Sequence, residues 1–311
     1  MKPRIVVVGS SNTDMILKLH RLPKPGETVI GGSFSMAHGG KGANQAVAAA
    51  RAGGDVTFLS KLGNDALGRE ALQGFKREGV NTDFIGIDSS SPSGVAMIFV
   101  DERGENSIGV ASGSNGEFRP SDLSQALDCI ASADPLLVQL EIPFPTFESV
   151  IRIAAHAGVS VILNPAPACP ISKDILGLVS FLTPNETEAE AMTGVALNSD
   201  SAIERAASSL LAAGVGTVVI TLGSQGAYLL GRGINQRIAA FKVEPIDTTA
   251  AGDVFNGALA VALGEQSNLP EAVRFACAAA AISVTRLGAQ PSAPTREEIN
   301  RFMESRTHGA S

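Results

Sequence analysis

The chain reads as an α/β protein built on a mostly parallel sheet with helices on both faces. Two observations carry that expectation. Short runs are apolar at consecutive positions: Ile5-Val6-Val7-Val8, Leu136 to Leu140, Val159 to Leu163 and Thr217 to Leu222. Such runs suit strands buried on both sides. Longer segments with helical spacing lie between them, and that alternation marks a parallel sheet. Ligands in such sheets bind beyond the carboxyl ends of the strands. Polar residues at strand ends are therefore the functional candidates.

The first strand ends at Gly9-Ser10, and Asn12 and Asp14 follow as a polar turn or as ligand-facing groups. From 16 to 38, Leu17, Leu19 and Leu22 alternate with polar residues, and Pro23, Pro25 and Gly26 interrupt them. Short strands and turns are expected there, forming a flap. Gly39-Gly40-Lys41-Gly42-Ala43-Asn44-Gln45 comes next as a glycine loop, running into an alanine-rich helix from Ala46 to Gly53. No P-loop can be drawn through it, and the third glycine of a dinucleotide fingerprint is missing. Its glycines permit close backbone approach to a ligand, and Lys41 and Asn44 offer donors. A solvated αβ turn is the alternative.

Val56 to Ser60 is the next strand and Leu67 to Glu78 the next helix. Val95 to Val100, the turn 101–104 and Ile108 to Val110 form a second flap candidate, a hairpin. Ser121 is expected to cap a helix running to about Ile130. Glu141 stands at the carboxyl end of the 136–140 strand. Pro145 to Gly158 reads as helix and Val179 to Leu182 as strand. Asn185 follows a strand, with Glu188 three residues on. That spacing suits an N-cap with its reciprocal acid. It also suits two oxygen donors around a hydrated Mg²⁺, which keeps several waters and needs few protein ligands.

Ser201 and Glu204 predict a capping box for a helix to about Ala213. The 217–222 strand delivers Thr221-Leu222-Gly223-Ser224-Gln225-Gly226, a small-residue turn open to a phosphate, and Ala227 to Leu230 continues as strand. Asp247-Thr248-Thr249-Ala250-Ala251-Gly252-Asp253 then precedes an apolar helix. Ala250, Ala251 and Gly252 at a helix start leave backbone N–H groups bare, an anion site reinforced by the helix dipole. Asp253 beside a bound anion would repel it, so its placement makes sense if it does chemistry; otherwise it is an ordinary first-turn acid. Asn268-Leu269-Pro270 reads as a turn before a buried helix from about Glu271 to Thr285. Thr295 and Glu298 frame a capping box for a terminal helix, whose last residues are expected to fray.

Composition narrows the class. Net charge is −7 with no basic block, which does not suit nucleic-acid binding. Cys129, Cys169 and Cys277 are too far apart for metal spacing or a disulfide framework, which fits a reducing cytosol. The apolar stretch after Met1-Lys2-Pro3-Arg4 is too short for a signal peptide, and the longest apolar run, Phe275 to Val284, is too short for a membrane span. A cytoplasmic protein with no membrane partner is expected. Length alone allows about two domains. No linker or internal repeat divides the chain, so a single domain over 1–311 is expected.

Three segments carry a family resemblance. Gly39-Gly40-Lys41-Gly42-Ala43-Asn44-Gln45-Ala46, Pro184-Asn185-Glu186-Thr187-Glu188 and Asp247 to Asp253 resemble, in order and spacing, the motifs of the ribokinase-like (PfkB) carbohydrate kinases. Gln139-Leu140-Glu141 and Gly288-Ala289-Gln290-Pro291-Ser292 are similar to the branch of that family that phosphorylates ribose. The resemblance implies a Rossmann-like core with a small β-sheet lid from about 15–38 and 94–111, a lid that often forms a homodimer interface. It implies ATP-dependent phosphorylation of D-ribose at O5. Asn12, Asp14, Gly40, Lys41, Asn44 and Glu141 would hold the sugar. Asn185, Thr221, Gly223, Ser224, Gly226 and Gly252 would hold ATP. Asp253 would be the general base, and the amides of 250–253 the anion hole. Asn185 and Glu188 would organise Mg²⁺ through water. A monovalent cation, K⁺, would sit on Asp247 and Thr249, closed by Ser283, Arg286, Gly288 and Ser292, mostly through backbone oxygens. Cys277 stands where relatives commonly carry His or Asn near adenine, so that contact departs from the pattern. Other readings are a deoxyribose, fructose or nucleoside kinase, a non-catalytic sugar-binding regulator, or an oxidoreductase, the last opposed by the missing fingerprint.

Overall fold

The computed structural model describes residues 2–307. The first half of the chain gives β1 (Arg4–Val8), β2 (Asn12–Lys18), β3 (Ser33–Gly39), α1 (Lys41–Arg51), β4 (Asp55–Gly63), α2 (Ala66–Arg77), β5 (Ile85–Asp88), β6 (Gly94–Val100), β7 (Asn106–Ala111), α3 (Leu127–Ala131), β8 (Pro135–Val138) and α4 (Phe144–His156). The second half gives β9 (Ser160–Leu163), α5 (Lys173–Leu176), β10 (Phe181–Leu182), α6 (Glu186–Thr193), α7 (Asp200–Ala212), β11 (Thr217–Thr221), β12 (Ala227–Gly231), β13 (Ile234–Ile238), α8 (Ala251–Gly264), α9 (Leu269–Ser283) and α10 (Arg296–Thr307).

Nine strands form the main sheet in the order β13-β12-β11-β10-β9-β8-β1-β4-β5. It is parallel from β11 to β5, and β12 and β13 add an antiparallel edge. Strand periodicity divides the core in two. Ile5 and Val7 of β1 point into one buried cluster with α1, α2, α8, α9 and α10, while Val6 and Val8 point into the other with α4 and α7. The runs look uniformly apolar because both sheet faces are covered. On the first side α8 lies between α1 and α9, and alanine-rich surfaces let these helices approach closely.

The connection from β1 leads to β4 on one side, whereas β8 pairs with the other side of β1 and leads on to β9. The topological switch point therefore lies between β1 and β8, where α/β sheets open a crevice. A second, four-stranded sheet has the order β3-β2-β6-β7, with β2 and β6 parallel and the other pairs antiparallel. Both flap candidates thus join one sheet.

Several local expectations are corrected. Asn12 and Asp14 do not form a turn; they open β2 and pair with Gly39 and Ala37 of β3. The helix after the glycine run begins at Lys41, so Lys41 to Gln45 are helical. Ser121 caps nothing. It lies within a 3₁₀ segment, Pro120–Ala126, whose start is closed by Asp122 accepting from the Arg119 N–H. Ser199, not Ser201, caps α7, because its side chain reaches the Ala202 N–H, and Glu204 instead accepts from Asn235. Asn268 is the N-cap of α9 and Pro270 sits in its first turn, where a missing N–H costs nothing. The expectation for the chain end falls outside the described residues from 308 onward. Among the described residues, no helix is long and apolar enough to cross a membrane.

Candidate active site

The glycine run is shaped by its surroundings. Gly40 has φ 89°, and a Cβ there would lie 2.7 Å from the Asn12 N. Gly42 packs on Gly9, whose backbone a Cβ would meet at 2.6 Å. The start of α1 is thereby pressed against the end of β1, at the switch point.

There Glu141, just past β8, accepts from Ser10 Oγ at 2.5 Å and from the Lys41 N–H at 3.0 Å. Asn12 Oδ1 accepts from Asn115 Nδ2 at 2.8 Å. Ser10, Asn12, Asn115 and Glu141 line a cavity of about 390 Å³ that also meets Val110 of the small sheet. A larger surface groove of about 650 Å³ at β13, α9 and α10 contains none of the expected site residues.

The other half of the site is the start of α8. Ala250 adopts the left-handed conformation, φ 57° and ψ 14°, and no side chain caps the helix. A non-glycine residue is strained there by about 1 kcal/mol, a cost that collects at functional sites. An uncapped first turn presents its N–H groups to a ligand. Asp253 lies in that turn, only 7% exposed. Its carboxylate accepts from Asn44 Nδ2 at 3.0 Å and Gln45 Nε2 at 2.9 Å, one on each oxygen. The N-terminal and C-terminal motifs therefore meet, as the strand-end argument anticipates.

Charges are concentrated here. Burial raises the Asp14 carboxyl to about 6, and Glu141 and Asp253 add to the rise. Burial also raises Asp253, opposed by the Lys41 charge and by the Asn44 and Gln45 donors. For Lys41 burial acts downward, but Asp253, Glu141 and Glu188 outweigh it and its pKa is raised. Glu188 is raised by burial, against its bond from the Asn185 N–H and the Lys41 charge.

Asn185 and Glu188 form a complete capping box at α6: Asn185 Oδ1 accepts from the Glu188 N–H at 2.8 Å, and Glu188 Oε2 from the Asn185 N–H at 2.9 Å. The structural reading of that spacing is realised. Glu188 nevertheless lies within electrostatic reach of Lys41 and Asp253. Asn185 bridges to Thr221, bringing the 221–226 turn beside it; in that turn Gly226 has φ 94° and the Leu222 N–H donates to the Gly226 carbonyl. Cys277 is part of the buried α8–α9 packing, and burial pushes its thiol up to about 12.

The expected cation set is partly committed to protein contacts. Asp247 Oδ1 accepts from the Thr249 N–H and Oδ2 from the Gly288 N–H, 2.9 and 2.8 Å. Ile246 and Asp247 N–H groups both donate to the Val284 carbonyl. The 246–249 and 284–288 segments are stitched together. Ser283 and Ser292 hydroxyls donate to Ala280 and Ala289 carbonyls, and Arg286 pairs with Glu298 at 2.6 Å.

Sequence reasoning missed Ser10, Gln45, Asn115, Gln139 and Asn164. Gln139 and Asn164 each follow directly after a strand, so the strand-end rule could have found them. Gln45 was visible inside its motif but had no assigned partner.

The sequence profile of the pfkB family carbohydrate kinase matches residues 2–296. A ribokinase of Haemophilus influenzae is 45% identical over 304 residues, covering 98% of this chain and 99% of that protein. A crystal structure of ribokinase from Thermotoga maritima superposes with TM-score 0.88 at 41% identity, over 98% of this chain and 100% of that one. The Arabidopsis thaliana ribokinase complexed with ribose and ATP gives TM-score 0.91 at 36% identity, over 98% and 99%. Profile and relatives both span nearly the whole chain, and the chain belongs to the pfkB family of carbohydrate kinases.

Proposed function

We propose that this carbohydrate kinase transfers the γ-phosphoryl group of ATP to O5 of D-ribose, with Asp253 as general base. One observation carries the reading: a buried carboxylate sits inside the uncapped first turn of α8, fixed by donors from α1. Phosphoryl transfer needs in-line positioning and stabilised charge rather than covalent help. Asp253 Oδ takes the proton of the attacking hydroxyl as the oxygen bonds to the γ-phosphorus and the bond to ADP breaks. The amides of 250–253 meet the charge on the moving group. Burial favours Asp253 as a base by raising its affinity for that proton.

The sugar would lie beside the switch point, held by Asn12, Asp14, Gly40, Lys41, Asn44 and Glu141, of which Asn12 and Glu141 line the cavity there. Among the described residues Asn44 Oδ1 is buried without a partner, which suits a sugar hydroxyl. Identity is higher to the ribokinases of Haemophilus influenzae and Staphylococcus aureus, 45% and 40%, than to the deoxyribokinase of Salmonella typhi, 35%, which supports ribose over deoxyribose. ATP would lie along Asn185, the turn from Thr221 to Gly226 and Gly252, with Cys277 nearest the base. Glu188, within electrostatic reach of Lys41 and Asp253, would share a hydrated Mg²⁺ with Asn185. Mg²⁺ would neutralise phosphate charge. The stitched 246–249 and 284–288 segments would hold K⁺ at Asp247 and Thr249 and, mostly through backbone oxygens, at Ser283, Arg286, Gly288 and Ser292, and so order the loop into α8.

The four-stranded sheet would be the lid. Cross-strand pairs place Asp14, Ala96 and Val110 on one face and Met15, Met36 and Met97 on the other. The first face would close over the sugar and exclude water. The second, where Phe34, Met36 and Met97 are exposed, would take a second copy of the chain.

The test is Asp253→Asn. Turnover with ribose should fall about 10²- to 10⁴-fold while ribose and ATP still bind. Near-normal turnover removes Asp253 from the role. A panel of sugars in the same ADP-release assay decides the substrate.

A further inference from the structure

We infer that Gln45 is a positioning residue for the proposed base, locked by Gln139 and Asn164 so that its N–H group, and not its carbonyl, faces Asp253. The inference rests on the assignment of Asp253 and adds what aims it.

Gln45 is fully buried on α1. Its Nε2 donates to Asp253 Oδ1 at 2.9 Å and to Asn164 Oδ1 at 3.0 Å. Its Oε1 accepts from Gln139 Nε2 at 2.6 Å. Rotating the amide by half a turn would set its carbonyl against a carboxylate and a second carbonyl, and its NH₂ against the Gln139 donor. Those contacts would become repulsive, and even if Gln139 turned as well the carbonyl would still face the Asp253 carboxylate, so the orientation with the NH₂ toward Asp253 is the favoured one. Asn164 is fixed in turn, since its Nδ2 donates to the Thr183 carbonyl at 3.2 Å.

Gln139, Asn164 and Thr183 are the first residues after β8, β9 and β10. The carboxyl edge of the sheet thus sets the rotation of one side chain on α8. The same edge holds the backbone of that turn: Thr183 Oγ1 donates to Asn256 Oδ1 at 2.6 Å, and Asn256 Nδ2 to the Gly252 carbonyl at 2.8 Å.

The need for such a lock follows from electrostatics. A first-turn carboxylate is drawn toward its own helix's bare N–H groups. At α8 that is where the transferred phosphoryl group must go. Asn44 and Gln45 grip both oxygens with charge-assisted bonds and keep Asp253 facing α1.

The experiment compares Gln45→Met, Gln139→Leu, their double variant and Asp253→Asn in the full-length protein. It reads kcat, the KM values for ribose and ATP, the pH profile of kcat and thermal unfolding. Gln45→Met should lower kcat about 10- to 100-fold, the scale of a hydrogen bond to a charged group, with both KM values within about 3-fold. The acidic limb of kcat should move to higher pH, because the carboxylate loses a donor that favours its charged form. Gln139→Leu should give a smaller loss, and the double variant no more loss than Gln45→Met. A merely structural glutamine would lower the folded fraction and leave the acidic limb in place.

A folded Gln45→Met with kcat within 2-fold and an unmoved limb overturns the inference, while an inactive Asp253→Asn beside it leaves the base assignment standing. An active Asp253→Asn overturns both. Should Gln45→Met not fold, the Gln139→Leu variant decides by the same two readouts.

Discussion

Replacing Asp14 by asparagine is expected to stabilise the sugar-free protein at pH 8 while weakening its hold on sugar. The Asp14 carboxyl titrates at about 6 in the folded chain, against an ordinary 3.8, because burial disfavours its charge and Glu141 and Asp253 repel it. Between those values the folded state holds a proton that the unfolded chain has released. Stability therefore falls as pH rises through this window, and the loss is complete above about 6. A gap of roughly two pH units at about 1.36 kcal/mol each corresponds to nearly 3 kcal/mol. Partial exposure and solvent screening reduce the expected gain of Asp14→Asn to about 1–2 kcal/mol at pH 8. The gain should shrink as pH falls through this window and approach zero below about pH 3, where Asp14 is protonated in both states. Urea unfolding of both proteins at pH 4.5, 6 and 8 measures this, with an unchanged m-value confirming a comparable transition. A pH-independent difference, or a loss of stability at pH 8, would refute the electrostatic reasoning. In the unaltered enzyme the sugar KM should rise as pH falls below about 6, since a protonated Asp14 loses acceptor capacity.

Gly42→Ala should cost about 1–3 kcal/mol, because its Cβ would meet Gly9 backbone, which cannot move aside like a flexible side chain. Thermal unfolding within error of the parent would contradict the close approach. Asp247→Ala removes the acceptor for both the Thr249 and Gly288 N–H groups. The proposed stimulation by K⁺ over tetramethylammonium should then disappear, and retained stimulation would place the cation elsewhere. Met36→Glu puts a charge on the exposed face of the small sheet, paired with Met15. If that face pairs two copies as proposed, sedimentation should shift toward monomer, and an unaltered dimer would exclude that face as the contact.

Most of the main sheet was legible because burial on both faces demands apolar residues at consecutive positions, as in β1 and β11. β5 and β13 were missed for the opposite reason. Ile85–Asp88 and Ile234–Ile238 are only partly buried, and their sequences, Ile-Gly-Ile-Asp and Ile-Asn-Gln-Arg-Ile, lack the run. Helix starts failed where two polar residues competed locally. Ser199 and Ser201 can each cap a turn, and in the fold it is Ser199 whose side chain accepts from the Ala202 N–H. At Asn185 the capping pattern is read correctly, yet it does not reveal that Glu188 lies near Lys41, more than a hundred residues away in sequence.

By itself the sequence determined the α/β class, the polar strand ends and the three motifs, because periodicity, helix-start chemistry and glycine spacing are local properties of the chain. Only the tertiary structure decided that β1 and β8 form the switch point and that Gln139, Asn164, Gln45 and Asp253 make one buried chain of hydrogen bonds. An amide has no distinguishing local pattern. Its role is set by which donors and acceptors the fold brings within 3 Å of it, across separations of 94, 119 and 208 residues here.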